Sequence, residues 1–186
     1  TADDYEKIFE QEGYHFQWGS NSALDKFTNV NLTTVKGPVS LEVAEKNKGA
    51  YFCCFSNNDW LDTPNDLLWN KGTENTPIKG DYDPCPTGWR ISCKAELEAL
   101  CSMNWSITGY LCSTENSKFV LYTPIGVTDI DRSAWLATNQ YSCLFSSDAV
   151  KGDPLNKIYA FFPGENKIDD SSYRRVNAGP IRCVQE

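Results

Sequence analysis

YDPCPTGWRISCKAELEALC, residues 82–101, carries more local instruction than any other window of the chain. Asp83, Pro84, Pro86 and Gly88 fix or free φ, so Cys85 is presented from a turn rather than from a strand or a helix. Trp89 and Ile91 then alternate with Arg90 in a short extended step with one apolar face. After Ser92 the apolar positions become Cys93, Leu97, Leu100 and Cys101, the i, i+4, i+7, i+8 spacing of a helical stripe. Ser92 or Cys93 is the N-cap; the second choice puts Glu96 at N3, and Glu96 and Glu98 point off the stripe. The window reads as a core helix entered through a tight turn.

Upstream, Tyr5, Ile8 and Phe9 stand at helical spacing behind Thr1 and Asp4, so residues 1–13 read as an N-terminal arm or short helix. Tyr14–Gly19, YHFQWG, reads as a strand. Val30–Val35 and Val39–Val43 are β-branched segments separated by Gly37 and Pro38, and Ala50–Phe55 is a further apolar strand. Asp62–Asn70, DTPNDLLWN, has a helix-start pattern that Gly72 closes within one or two turns. Downstream, strands are expected at Phe119–Thr123, Ala134–Thr138, Tyr141–Ser146, Lys157–Phe162 and Pro180–Val184. One firm helix in mid-chain with strands on both sides gives no regular βαβ alternation. The expected class is therefore α+β, a mostly antiparallel sheet with one firm central helix and long loops.

At 186 residues the chain fits one domain and is long enough to bury roughly 70 per cent of its unfolded surface. Disulfides are then helpful and not obligatory. Aromatic residues make up 13% of the sequence, which is a folded composition whose rings need a core or a ligand. The net charge of −8 comes with acidic and basic residues interspersed, which argues against a phosphate-backbone partner: counterion release needs clustered Lys and Arg. Nucleic acid is excluded as an expected partner on that ground. Eight cysteines, none in C-x-x-C spacing, do not make a zinc ribbon; export is the simpler account. No apolar run approaches the length of a membrane span and no signal peptide is visible, so the chain reads as a soluble mature or trimmed segment, with any lipid anchor outside it.

His15 is the single histidine, so a Ser-His-Asp or Cys-His centre has to use it, and its place in a strand makes it structural. Neither a Gly-rich phosphate loop nor a dinucleotide fingerprint occurs, and no cofactor is expected. Among 25 acidic residues a carboxylate pair within glycosidase range always arises, so that signal selects nothing. Two loop clusters are the candidate ligand-binding surfaces. The first is Asp129, Asp131, Arg132 and Asn139 around the Trp135 strand; the second is Glu165, Asn166, Asp169, Asp170 and Tyr173 before the last strand. Short carboxylates and amides in loops suit sugar hydroxyls or a hard cation. Trp89 and Trp135, each in a strand-like step of alternating polarity, are expected in the core.

The order YHFQWG, DWL, LWN, DPCPTGWRIS with its helix, SAWLAT, YAFF and PIRCV resembles the Fibrobacter succinogenes major paralogous domain of exported proteins from Bacteroides-type bacteria. That family's usual pattern is DPCP-x-GWR, a Pro-Thr or Pro-Ser helix start, a Trp-Ser-Ser-Thr strand and a closing Arg-Cys-Val. The likeness covers about residues 14–186 and implies one C-type-lectin-like domain over that span. It also implies that Cys85 and Cys183, the two cysteines inside the family motif, are disulfide-bonded. Cys53, Cys54, Cys93, Cys101, Cys112 and Cys143 lie outside the motif and take no pairing from it. Cys93 and Cys101 cannot bond each other on one helix, because eight residues rise about 12 Å. Cys93 replaces the usual hydroxyl helix start, and Leu136–Thr138 replaces the small hydroxyl run. No Glu-Pro-Asn, Gln-Pro-Asp or Trp-Asn-Asp motif is present, so the lectin-like fold does not bring calcium-lectin chemistry, or a metal, with it.

Three functions compete on these grounds. The first is a binding or adhesion module at the outer membrane or cell surface, recognising a glycan or a host or surface protein. The second is a structural or tip subunit of a fimbria-like assembly. The third is an enzyme on a lectin-like scaffold, since sulfatase-activating formylglycine proteins have a comparable helix start and closing arginine; a buried low-pKa cysteine pair would favour it. The expectation is a binder and not an enzyme.

Overall fold

A computed structural model describes residues 15–24, 33–54, 58–103, 105–108, 111–114, 120–122, 127–128, 135–136, 143–171 and 173–186. In chain order these contain β1 (His15–Gln17), β2 (Thr34–Lys36), helix α1 (Leu41–Lys46), β3 (Tyr51–Cys53), β4 (Trp89–Ile91), helix α2 (Lys94–Cys101), β5 (Trp105–Thr108), β6 (Leu111–Thr114), β7 (Val120–Tyr122), β8 (Val127–Thr128) and β9 (Trp135–Leu136). Then come β10 (Leu144–Ala149), β11 (Ile158–Phe162), a 3-10 turn at Pro163–Glu165, β12 (Lys167–Asp169), β13 (Ala178–Pro180) and β14 (Cys183–Gln185). β1 pairs with β13 and β4 with β14; β5, β6 and β7 form one three-stranded sheet, β10, β11 and β12 another, and β8 pairs with β9, all antiparallel. Only β2 and β3 pair in parallel among the named strands. The architecture is α+β, mostly antiparallel, with little helix. The N-terminal arm, with Tyr5, Ile8 and Phe9, lies outside the described residues.

The strand at YHFQWG is shorter than its pattern: β1 stops at Gln17 because Trp18 and Gly19 turn, with Gly19 at φ +84. The expected last strand over Pro180–Val184 is two strands, β13 and β14, paired with different partners, β1 near the start of the chain and β4 in its middle. The hairpin β5–β6 had no forecast. Two further expectations are corrected. Val39 makes only a bridge to Leu61, and from Leu41 the chain is helical instead of extended. Ser40 caps α1 by accepting the Val43 N–H at 3.3 Å, and Glu42–Lys46 and Glu45–Lys48 pair along its surface at 2.6 and 3.0 Å. A cap and spaced charges outweigh one β-branched residue here. Asp62–Asn70, expected to hold a helical turn, contains turns and bends instead. Asn65 Oδ1 takes the Leu67 N–H at 2.9 Å, and Asn70 Oδ1 takes those of Gly72 and Ile78 at 2.8 and 3.0 Å, so side chains satisfy the backbone that a helix would have used.

The main core gathers Trp18, Phe52, Trp60, Trp69, Ile91, Phe145, Ile158, Ala160 and Phe162 from both halves of the chain. Each buried indole finds a carbonyl: Trp18 donates to Ser146 at 3.1 Å, Trp60 to Trp18 at 2.6 Å and Trp69 to Ser20 at 3.1 Å. Gln17 stitches two segments, donating to Phe52 O at 2.9 Å and Val176 O at 2.7 Å while accepting the Phe52 N–H at 3.0 Å. Buried Arg175 lies over the Trp18 ring and bonds both Asp59 and Asp66. Helix α2 packs on the β10–β11–β12 sheet through Leu97, Leu144 and Phe161, flanked by Leu100, Cys101, Trp105 and Ile168. Its stripe is the one the spacing predicts.

Trp89 is not a core residue. Its side chain is 44% exposed. The alternation that places Trp89 and Ile91 on one face is correct, since Ile91 is fully buried, but the ribbon leaves the core at its Trp89 end. Trp135 lies on β9, and its side chain falls outside the described ones.

Candidate functional site

The corner before β4 is built from two side chains. Asp83, buried, accepts the N–H of Cys85 and of Ile91, each at 2.8 Å. Lys79 reaches in from the preceding loop: its Nζ lies 3.2 Å from Asp83 Oδ1 and donates to the carbonyls of Cys85 at 2.5 Å, Pro86 at 3.4 Å and Trp89. Gly88, at φ +79, completes the turn. Cys85 is bonded to Cys183, so the corner is tied to β14 next door. The pairing implied by the resemblance is the one the structure has. Trp89 thus stands exposed on a backbone held at its N–H, its carbonyl and its strand partner Gln185.

The helix start follows at once. Cys93 is the N-cap, and Glu96 at N3 accepts its N–H at 2.9 Å. Arg90 grips Glu96 with both guanidinium nitrogens at 2.8 and 2.6 Å, which holds the Glu96 carboxyl below its ordinary range. Asp148 on β10 accepts the Lys94 N–H at 2.7 Å and the Asn70 amide at 2.7 Å, joining the helix, the sheet and the 70–78 loop. Lys94 then bridges Glu74 at 3.1 Å and lies over the Tyr159 ring, 4.8 Å from its centroid. The sequence reading offers the Cys93–Glu96 cap but misses the ties of this helix start to Asn70, Glu74, Asp148 and Tyr159, which are far apart in the chain.

Of the sequence-selected ligand residues, Asp129, Asp131, Arg132 and Asn139 lie outside the described residues. The second cluster is brought together at the edge of the β10–β11–β12 sheet. Glu165 and Asn166 are exposed in the turn between β11 and β12; Asn166 sits at φ 50, where an amide side chain is tolerated. Glu165 pairs with Lys167. Asp169 ends β12 and accepts the Ser171 hydroxyl at 2.7 Å, and Asp170 is exposed beside it. Tyr173 behaves differently: its ring packs on Phe145 and Phe162, at centroid distances of 5.3 and 5.8 Å, and burial pushes its hydroxyl far above the ordinary phenol range. Tyr173 is the anchor of the loop, and the outward polar groups are Glu165, Asn166 and Asp170.

Outside this cluster, His15, Cys93 and Cys143 are buried. Burial lowers His15 to about 4, so it is neutral at physiological pH. Burial also pushes the Cys93 thiol up to about 11 and Cys143 up to about 12, which is the opposite of an activated nucleophile. Cys93 and Cys101 are both unbridged and, as expected, do not bond each other. Among the described residues no group of three or more His, Cys, Asp and Glu is arranged to hold a metal ion, and no helix is long and apolar enough to cross a membrane. What the site offers chemically is a rim of carboxylates and an amide on a firm sheet edge, able to accept and donate hydrogen bonds to a hydroxylated or amide-bearing surface. No family model, curated protein or solved structure matches the chain.

Proposed function

We propose that the chain is a lectin-like binding or adhesion module of an exported protein, displayed at the outer membrane or cell surface and recognising a glycan or a surface protein through its loops. The observation that carries this reading is the construction of the 163–173 segment. Tyr173 and Phe162 anchor it in the core, while Glu165, Asn166 and Asp170 face solvent between those anchors. A short polar rim on a rigid support loses little conformational entropy when a ligand docks. The likeness of DPCPTGWR and the closing RCV to exported paralogous domains supports the same reading. Burial shifts the Cys93 and Cys143 thiols upward, away from the activated thiolates that the enzyme alternative would use.

Binding of the oxidised domain to a glycan array and to immobilised surface proteins tests this, with and without EDTA, alongside a hydrolysis screen on the same glycans. Saturable binding unchanged by EDTA is expected. Turnover of a glycan, or binding abolished by EDTA and restored by calcium, overturns the proposal.

A further inference from the structure

Lys79 Nζ, at the end of a side chain 26% exposed, is ringed by oxygens on its inner side as a bound cation would be. Four oxygens surround it: Asp83 Oδ1 at 3.2 Å and the carbonyls of Cys85 at 2.5 Å, Pro86 at 3.4 Å and Trp89. The Asp83 side chain is 0% exposed, and its other oxygen is committed to Ile91 N–H. A buried carboxylate with three converging carbonyls needs a positive charge in the middle, because carbonyl dipoles pointed at one another repel. We infer that the DPCP corner is a monovalent cation site whose cation is supplied by the chain itself, as the tethered ammonium of Lys79. The donor set fixes the class of ion. Calcium takes six to eight oxygens and several negative charges; this cage has four oxygens and one charge, and its N–H acceptors suit a primary ammonium. The corner therefore draws its order from within the chain and not from an ion in the medium. This inference stands apart from the functional reading above.

Chemical rescue tests it. Lys79→Ala removes three methylene carbons and the nitrogen, a gap that propylammonium replaces. The variant should melt roughly 5–10 °C below the wild type. Propylammonium should then restore at least about half of that loss in a saturable manner, whereas tetramethylammonium at equal ionic strength, lacking N–H donors, should not. Lys79→Met, which fills the same channel without charge, should show the loss and no rescue. The inference is overturned if Lys79→Met melts with the wild type, or if both salts raise Lys79→Ala equally. Should Lys79→Ala not fold, its refolding yield with propylammonium against tetramethylammonium gives the same decision. In the wild type, acylation of Lys79 should be at least about tenfold slower than that of exposed Lys48, and equal rates would also overturn it.

Discussion

Asp83 accepts the backbone N–H of Ile91 at 2.8 Å, closing the whole PCPTGWR turn with one carboxylate oxygen while the other serves Cys85 and Lys79. The turn is thus closed from inside by a single side chain. Asp83→Ala leaves two buried N–H donors without an acceptor and the Lys79 ammonium without its counter-charge, so a loss of about 3–5 kcal/mol is expected. Asp83→Asn keeps one carbonyl oxygen and should lose less. Urea denaturation of both variants checks the order; equal losses would show that the charge, and not the acceptor geometry, holds the turn.

The Cys85–Cys183 bond spans 98 residues of sequence. Its removal should cost about 2–5 kcal/mol, because the unfolded chain regains the freedom that the closed loop denies it. The thermal midpoints of the Cys85→Ser/Cys183→Ser double variant and of reduced wild type should both fall, by similar amounts, below that of oxidised wild type. A midpoint indifferent to reductant would remove the corner-to-β14 tie as a stabilising element.

How much of this was readable in advance depends on how local the determinants are. The corner, the helix from Cys93 and its Leu97 stripe were legible because proline, glycine, a capping glutamate and apolar spacing all lie within twenty residues. The helix at Leu41–Lys46 was not, because β-branched Val39 precedes it and Val43 lies within it, and the deciding contributions are a serine cap and surface charge pairs. The turns of Asp62–Asn70 were misjudged because Asp66 is drawn to Arg175, more than a hundred residues away. Of the loop cluster, the exposed acids were found from composition, whereas the anchoring role of Tyr173 depends on Phe145 and Phe162 and carries no local signal.

Trp89 shows the limit of alternation and gives a prediction. At 44% exposure, Trp89→Ala should cost no more than about 1 kcal/mol, whereas Trp18→Ala, which empties a fully buried site, should cost about 3–5 kcal/mol. Parallel urea titrations decide this. A large loss at Trp89 would mean that its exposed ring supports the strand pair from outside.

His15 supplies a pH dependence. It is neutral in the fold, with its pKa lowered by burial to about 4, while the unfolded chain protonates it near 6.5. The unfolded state therefore binds the proton first as pH falls. The contribution is fully present above pH 6.5 and is lost between 6.5 and 4, a loss of about 3 kcal/mol across that window. His15→Asn, which does not titrate, should flatten this part of the stability profile. A wild-type urea midpoint constant from pH 7 to pH 4 would contradict the burial of a neutral imidazole.

The last prediction separates binding from folding at the sheet edge. Glu165 and Asp170 are exposed, and Glu165 pairs only across the surface with Lys167, an arrangement that contributes little to stability. The Glu165→Ala/Asp170→Ala double variant should therefore melt within about 2 °C of wild type. If the 163–173 segment is the recognition surface, the same variant should lose about tenfold in affinity for the glycan or protein that the array identifies, equivalent to about 1.4 kcal/mol. Tyr173→Ala, by contrast, should lose both stability and binding, since it removes the anchor on Phe145 and Phe162. Its fall in melting temperature is the control that distinguishes support from contact. Surface plasmon resonance on the three proteins reads the affinities, and thermal melts of the same three read the stabilities. A double variant that binds as tightly as wild type would move the recognition surface away from this loop.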